Sequence, residues 1–215
     1  MTIIDQTIPV DLLTKLQSFK RPYDIQEFLD QTPYVSEELD RSPLRVYHDR
    51  QCHCLDGAIF AALGFHFIGL KPLLVDLVPA AGLDDDHVLA VFRVGKFWGA
   101  VAKSNFAGLR YREPVYRTLR ELAMSYFEDF FNVDGIKTMR AYTPPLDLTR
   151  FNRYQWATEE TGIQHITRSL YRLKPIPVLS ETQVSNLEKT DPRSYQAGLV
   201  GVNEDGLFRP GRSDH

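Results

Sequence analysis

Two cysteines are all that this chain of 215 residues contains, and a single residue separates Cys52 from Cys54. Such a pair is too small for a disulfide framework, and it is too close in sequence to join distant segments. We therefore expect a reducing compartment and a cytoplasmic protein. The first eleven residues carry an early acid and no long apolar core, so a secretory signal is not expected.

Long apolar runs and an excess of positive charge are also missing. No stretch reaches the roughly 18 apolar residues of a membrane span, so we expect no membrane partner. The net charge of −3 provides no basic field for nucleic acid. Apolar residues make up 43% and charged residues 25%, a balance typical of a soluble globular protein whose length suits one domain.

Motifs for phosphate, serine-hydrolase and metal chemistry are not found. The chain has no glycine-rich phosphate loop and no G-x-S-x-G elbow. The acidic run 84–86 lacks the alternate spacing and closing glutamate of a calcium loop, so we interpret it as a solvated loop. Zinc bound through Cys52, Cys54, His48 and His87 would lack the usual gap between cysteine ligands. The sequence therefore predicts no metal and no other cofactor.

The apolar pattern predicts one central helix and an antiparallel sheet. Residues 54–67 are apolar on nearly every side, which is typical of a buried helix. Strands are predicted over 71–77, 87–94 and 97–102, the last two joined by a tight turn at Gly95-Lys96.

Flanking segments complete the predicted architecture. Helical spacing is present in the lead-in before residue 50 and again over 116–131 and 158–171. Residues 1–173 are therefore predicted to form a single α+β domain with a helical N-terminal lead-in. Prolines 175 and 177, followed by Gly and Asp residues, predict an extended C-terminal arm over 174–215.

Cys54 is the first candidate for a catalytic group. It begins the predicted helix, where the helix dipole lowers a thiol pKa and backbone N–H groups can stabilise an oxyanion. Cys52, two residues earlier, is the alternative nucleophile. The simpler interpretation is that Cys54 is a small buried residue, since free cysteine often is.

His87 is the strongest of the six histidines because it begins a half-buried strand. A hairpin centred on Gly95-Lys96 would place His87 opposite Ser104, within one position. We therefore expect any group that orients the imidazole to lie among Lys103, Ser104 and Asn105. A strand histidine with a purely structural role is the alternative.

These motifs together resemble the transglutaminase-like superfamily, which shares the papain-like cysteine hydrolase fold. The resemblance rests on residues 54–58 (Cys-Leu-Asp-Gly-Ala), on 87–90 (His-Val-Leu-Ala) and on 97–101 (Phe-Trp-Gly-Ala-Val). It covers about residues 45–110 and extends to uncharacterised bacterial relatives of that group. Where the family carries its third catalytic residue, an aspartate, this chain has Ala102, and the nearest substitutes are Ser104 and Asn105.

The resemblance implies a central helix packed on an antiparallel sheet, with flanking helices. It also implies a cysteine-dependent acyl hydrolase or acyl transferase, of the amidase or peptidase type, working through a thioester. Cys54 would attack, His87 would move the proton, and Asn105 or Ser104 would hold the imidazole. The substrate would be a peptide or another amide. The alternative is an inactive module that kept the fold and binds a protein partner, which the missing aspartate favours.

Overall fold

The computed structural model describes residues 8–36 and 39–209. Its helices are α1 (Val10–Ser18), α2 (Pro22–Asp30), α3 (Pro43–Asp49), α4 (Cys54–Phe67), α5 (Leu119–Met124), α6 (Glu160–Leu170), α7 (Glu181–Ser185) and α8 (Pro192–Gly198). Its strands are β1 (Leu73–Pro79), β2 (His87–Val94), β3 (Phe97–Val101), β4 (Arg112–Tyr116), β5 (Met139–Tyr142), β6 (Leu146–Asp147) and β7 (Ile176–Pro177).

The strands form one antiparallel sheet of seven strands in the order β4-β3-β2-β1-β5-β7, with β6 also paired to β1. The predicted α+β class and the antiparallel sheet are confirmed. None of the helices in the described part of the chain is long and apolar enough to cross a membrane.

Helix α4 is the centre of the larger core, as the sequence predicts. All its residues from Cys54 to Phe65 are buried, because its sides are apolar almost all round. It packs on β1 and β2, and α1, α2 and α3 also contact it. The helix also passes very close to the segment after β3. A Cβ on Gly57 would lie 2.4 Å from the Cβ of Lys103.

The hairpin of β2 and β3 has the predicted turn. Val94 pairs with Phe97 and Ala90 pairs with Val101 around Gly95-Lys96. The ladder stops there, because the side chain of Gln26 hydrogen-bonds both main-chain groups of Ala102 at 3.0 Å. His87 therefore has no partner on β3, although it still pairs with Leu77 on β1.

The opposite face of the sheet has its own apolar cluster, to which Leu77, Leu89 and Ala102 contribute. The predicted helix over 116–131 is wrong in its extent, because the regular helix covers only α5 and a short 3-10 turn follows at Phe127–Asp129. At the C-terminal end of α5, the Ser125 carbonyl oxygen accepts a hydrogen bond from the Arg112 guanidinium at 3.1 Å. This bond replaces the one that a longer helix would make at Ser125.

Residues 174–209, for which the sequence predicts an extended arm, lie against the domain and carry several short elements. Strand β7 pairs with β5, and helices α7 and α8 follow. The main-chain N–H of Ala107 donates to the Gly198 carbonyl oxygen at 2.9 Å. After α8 the chain forms a single 3-10 turn, Glu204–Gly206, beside the start of α4.

Candidate active site

A cavity of about 360 Å³ lies where α4 and β2 both begin. Cys54, His87, Ser104 and Asn105 all line it. The fold therefore brings together, in one cavity, the four side chains that the sequence selects. Cys54 is the first residue of α4 and His87 is the first residue of β2, so each is fixed by a regular element.

The start of α4 is held by His53 and Asp56. The His53 ring accepts the Leu55 N–H at Nδ1 (3.2 Å), and the Asp56 carboxylate accepts the N–H of His53 at 3.3 Å. The other Asp56 oxygen accepts the Arg41 N–H at 2.7 Å. These bonds satisfy N–H groups that a helix start otherwise leaves unpaired, and they fix the position of Cys54.

Asp40, His53 and Asp56 also bring three potential metal-ligand atoms, two carboxylate oxygens and one imidazole nitrogen, within 4.8 Å of one another. Because Nδ1 of His53 accepts a hydrogen bond, the ring proton is assigned to Nε2, which lies 3.4 Å from Asp56 Oδ1 and 3.7 Å from Asp40 Oδ1. A metal ion would need the lone pair that this proton occupies. The arrangement fits a hydrogen-bonded group that stabilises the helix start.

The Cys54 thiol lies beside the chain that leads into β2. Its Sγ is 3.8 Å from the Asp86 carbonyl oxygen, a weak sulfur hydrogen bond. Burial, followed by the charges of Asp86 and Asp85, raises the pKa of Cys54 well above its usual value. The expected lowering of the thiol pKa by the helix dipole is therefore outweighed, and the resting group is a neutral thiol.

Cys52 is the less suitable of the two thiols. It is completely buried, and burial raises its pKa to about 12. It packs within the α4 core and is not among the described residues that line the cavity.

His87 is fixed by a backbone carbonyl. Its Nε2 lies 2.7 Å from the Leu109 carbonyl oxygen, so the ring proton is assigned to Nε2 and Nδ1 carries the lone pair. The ring packs against Tyr126 and Phe130, with centroids 6.3 and 6.4 Å away. Burial lowers the pKa of His87 to about 4, so the imidazole is neutral at neutral pH.

Ser104 and Asn105 line the cavity but bond elsewhere. The Ser104 hydroxyl accepts the Phe106 N–H at 3.0 Å, and the Asn105 amide bonds the main chain of Asn203. Within residues 8–36 and 39–209, no hydrogen bond joins either side chain to His87. Ala102, where the resemblance predicts an aspartate, belongs to the same apolar cluster as Leu89. The contact to the imidazole nitrogen comes instead from Leu109.

The interpretation of 84–86 as a solvated loop is wrong for two of its three residues. Asp84 accepts a hydrogen bond from the Thr138 hydroxyl, and both Asp84 and Asp86 are half-buried at the cavity. Burial is the main cause that raises the pKa of each of them to about 6. Asp84 therefore lies against Thr138, just before β5, and the main chain of Asp86 lies beside the Cys54 thiol at the start of α4.

Asp76 on β1 is a buried ionisable residue that the sequence pattern did not single out. It is 4% exposed, and its Oδ1 has no hydrogen-bond partner among the described residues. Burial, followed by the charges of Asp86 and Asp85, raises its pKa to about 8. Its signal was a single aspartate inside the apolar strand Leu-Leu-Val-Asp-Leu-Val.

Comparison with known proteins adds no family to this description. No model of a protein family matches the chain, and none of the curated proteins matches it.

Proposed function

We propose that this protein is a cysteine-dependent acyl hydrolase or acyl transferase of the amidase or peptidase type. One observation carries the proposal. The thiol that begins the buried central helix and the imidazole that begins the adjacent strand line the same cavity. The order of these two residues on helix and strand also resembles the transglutaminase-like superfamily, in which such a pair acts on amides.

His87 serves as the base in this proposal. A neutral imidazole with its proton on Nε2 has an acceptor lone pair on Nδ1, as a general base requires. The Leu109 carbonyl, 2.7 Å from Nε2, holds the ring and fixes this tautomer. A main-chain acceptor thus takes the orienting role that the sequence assigns to Asn105 or Ser104.

The proposed reaction has two stages. Cys54 Sγ attacks the carbonyl carbon of an amide, the thiol proton passes to His87, and the developing oxyanion lies near the positive end of α4. His87 then donates that proton to the leaving amine as the C–N bond breaks, leaving an acyl thioester on Cys54. Water releases the acid in hydrolysis, whereas an amine gives a new amide in transfer.

A non-catalytic binding module is the second candidate, and two contacts favour it. The His87 ring packs with Tyr126 and Phe130, which belong to the sheet face opposite the α4 core. The hydrogen bond of the Cys54 thiol goes to Asp86. In this alternative the cavity binds a protein or peptide partner without reaction.

Acylation by p-nitrophenyl acetate separates the two candidates. The acyl group is located by peptide mass mapping in the wild-type protein, His87→Ala and the matched control Cys52→Ala. We expect acylation of Cys54 that Cys52→Ala keeps and that His87→Ala slows by roughly 100- to 10,000-fold. Equal rates in wild type and His87→Ala would favour the binding module.

The pH profile gives a second, independent criterion. A thiol that reacts through its own ionisation gains roughly tenfold in rate per pH unit below its pKa. A thiol assisted by His87 should instead reach a plateau above about pH 4, because burial lowers the pKa of that imidazole to about 4. A steady tenfold rise per unit from pH 5 to pH 8 would contradict the assigned base.

A further inference from the structure

The C-terminal part of the described chain fills one side of the candidate active site. Residues 204–209 line the same cavity as Cys54 and His87. They reach it after α8, from a part of the chain that is remote in sequence from both residues. The cavity wall is thus partly made by a later segment of the same chain.

One side chain binds the main chain of this segment. Asn105 Nδ2 donates to the Asn203 carbonyl oxygen at 2.8 Å, and the Asn203 N–H donates to Asn105 Oδ1 at 2.8 Å. Both main-chain groups of one residue are therefore satisfied by one amide. Such a pair recognises the backbone of a chain, whatever its side chains are.

A close fit continues beyond this pair. The side-chain amide of Asn203 donates from Nδ2 to the Tyr34 carbonyl oxygen at 3.0 Å. A Cβ on Gly206 would lie 3.0 Å from the Tyr34 ring and 3.2 Å from Asn105 Nδ2. The segment lies directly on the surface formed by these two residues.

The attachment of the segment is nevertheless slight. Among the described residues, the hydrogen bonds from 203–209 to the rest of the domain are those to Asn105 and Tyr34. The preceding chain is held separately, through the bond between Ala107 and Gly198. The hydrogen bonds that hold 203–209 are therefore separate from the one that holds α8.

We propose that Asn105 and the cavity form a main-chain recognition site for a polypeptide segment, and that residues 203–209 occupy this site in the free protein. An incoming peptide displaces the segment and takes its hydrogen bonds to Asn105. The proposal that a peptide binds here depends only on the contacts of Asn105 and Tyr34 with the segment. Reaction of the bound peptide at Cys54 rests on the proposed function. The proposed substrate class is therefore a polypeptide.

Two variants of the full-length protein test the occupancy. Asn203→Pro removes the N–H that donates to Asn105. The φ of Asn203 is −85°, close to the value that proline requires, so the substitution fits the local backbone. Asn203→Ala keeps both main-chain bonds and loses only side-chain bonds. The readout is the rate of iodoacetamide alkylation at Cys54, with the buried Cys52 as an internal monitor of unfolding.

We expect Asn203→Pro to raise the alkylation rate of Cys54 roughly tenfold, because it loses two hydrogen bonds from the segment to the domain, those to Asn105 and Tyr34, and each changes the equilibrium by roughly threefold. Asn203→Ala loses only the bond to Tyr34 among these, so it should raise the rate roughly threefold. Asn105→Asp, which replaces the donor amide with an oxygen facing the Asn203 carbonyl, should match Asn203→Pro. A rate in Asn203→Pro equal to that of wild type or of Asn203→Ala would overturn the proposal.

A synthetic peptide then tests recognition in trans. The peptide has the sequence of residues 202–209, and its control carries an N-methyl group on the amide of the Asn203 position. Added to Asn203→Pro protein, the first should restore protection of Cys54 and the second should not. Equal protection by both, or by neither, would overturn main-chain recognition at Asn105.

These outcomes are separable from those of the proposed function. Occupancy needs no catalysis, so the same alkylation ratios are expected in a His87→Ala background. Acylation that fails while the ratios hold would overturn the catalytic proposal alone. Ratios of one with acylation intact would overturn the polypeptide site alone.

Discussion

Replacing Asp76 with asparagine should remove a pH dependence from folding stability. Burial, followed by the charges of Asp86 and Asp85, raises the pKa of Asp76 to about 8, and its Oδ1 has no hydrogen-bond partner in the described part of the chain. In the unfolded chain an aspartate titrates near pH 3.9. Between these two values the folded protein holds a proton that the unfolded chain has released.

The sign of the effect follows from this difference. Because the folded state binds more protons in the window from about pH 4 to pH 8, the free energy of unfolding falls as the pH rises through it. Each pH unit inside the window costs about 1.4 kcal/mol. Between pH 5 and pH 7 the wild-type protein therefore loses roughly 3 kcal/mol through Asp76, and Asp76→Asn does not.

Urea unfolding at pH 5, 6 and 7 measures this quantity, with the free energies obtained by linear extrapolation. Asp134→Asn is the matched control, since it makes the same charge change at an exposed side chain. Buried carboxyls such as Asp56 contribute their own slopes, so the relevant number is the difference between wild type and variant. Parallel curves for wild type and Asp76→Asn would refute the reasoning.

Three further substitutions test the packing and hydrogen bonding around the site. Gly57→Ala places a Cβ 2.4 Å from the Cβ of Lys103, and we expect a loss of about 1–3 kcal/mol in urea unfolding. Phe60→Ala empties a fully buried ring site between other aromatic rings, and it should lower stability by about 3–5 kcal/mol. Gln26→Leu leaves the main-chain N–H and C=O of Ala102 without partners, so we expect a loss of about 2 kcal/mol or more, with faster hydrogen exchange at the Ala102 amide.

Local sequence predicts those parts of the fold that depend on neighbouring residues. A helix over 54–67 that is apolar on every side is stable only when other elements surround it, so α4 is central. Gly95 takes the positive φ that the tight turn needs, which sets the register of β2 against β3. The apolar pattern that follows each residue places Cys54 at the start of α4 and His87 at the start of β2.

Extrapolation from local pattern failed where remote residues intervene. The register of the hairpin predicts Ser104 opposite His87, but Gln26 from α2 takes the main-chain groups of Ala102 and ends the ladder at Val101. The predicted long helix after Tyr116 is shortened in the same way, since Arg112 binds the Ser125 carbonyl. Gln26 and Arg112 are both distant in sequence from the residues that they bind, so the local spacing of residues does not predict these contacts.

The sequence by itself determined the central helix of this protein, its β2–β3 hairpin, the α+β class of its fold and four of the side chains that line its cavity. Tertiary structure decided the electrostatic state of that cavity, because a pKa depends on burial and on charges brought together by folding. It brought the Leu109 carbonyl to His87 and the main chain of Asn203 to Asn105. It also buried Asp76 Oδ1 on β1 without a hydrogen-bond partner among the described residues. Carbonyl groups are the same at every position of a sequence, so only the folded chain could show which of them take part.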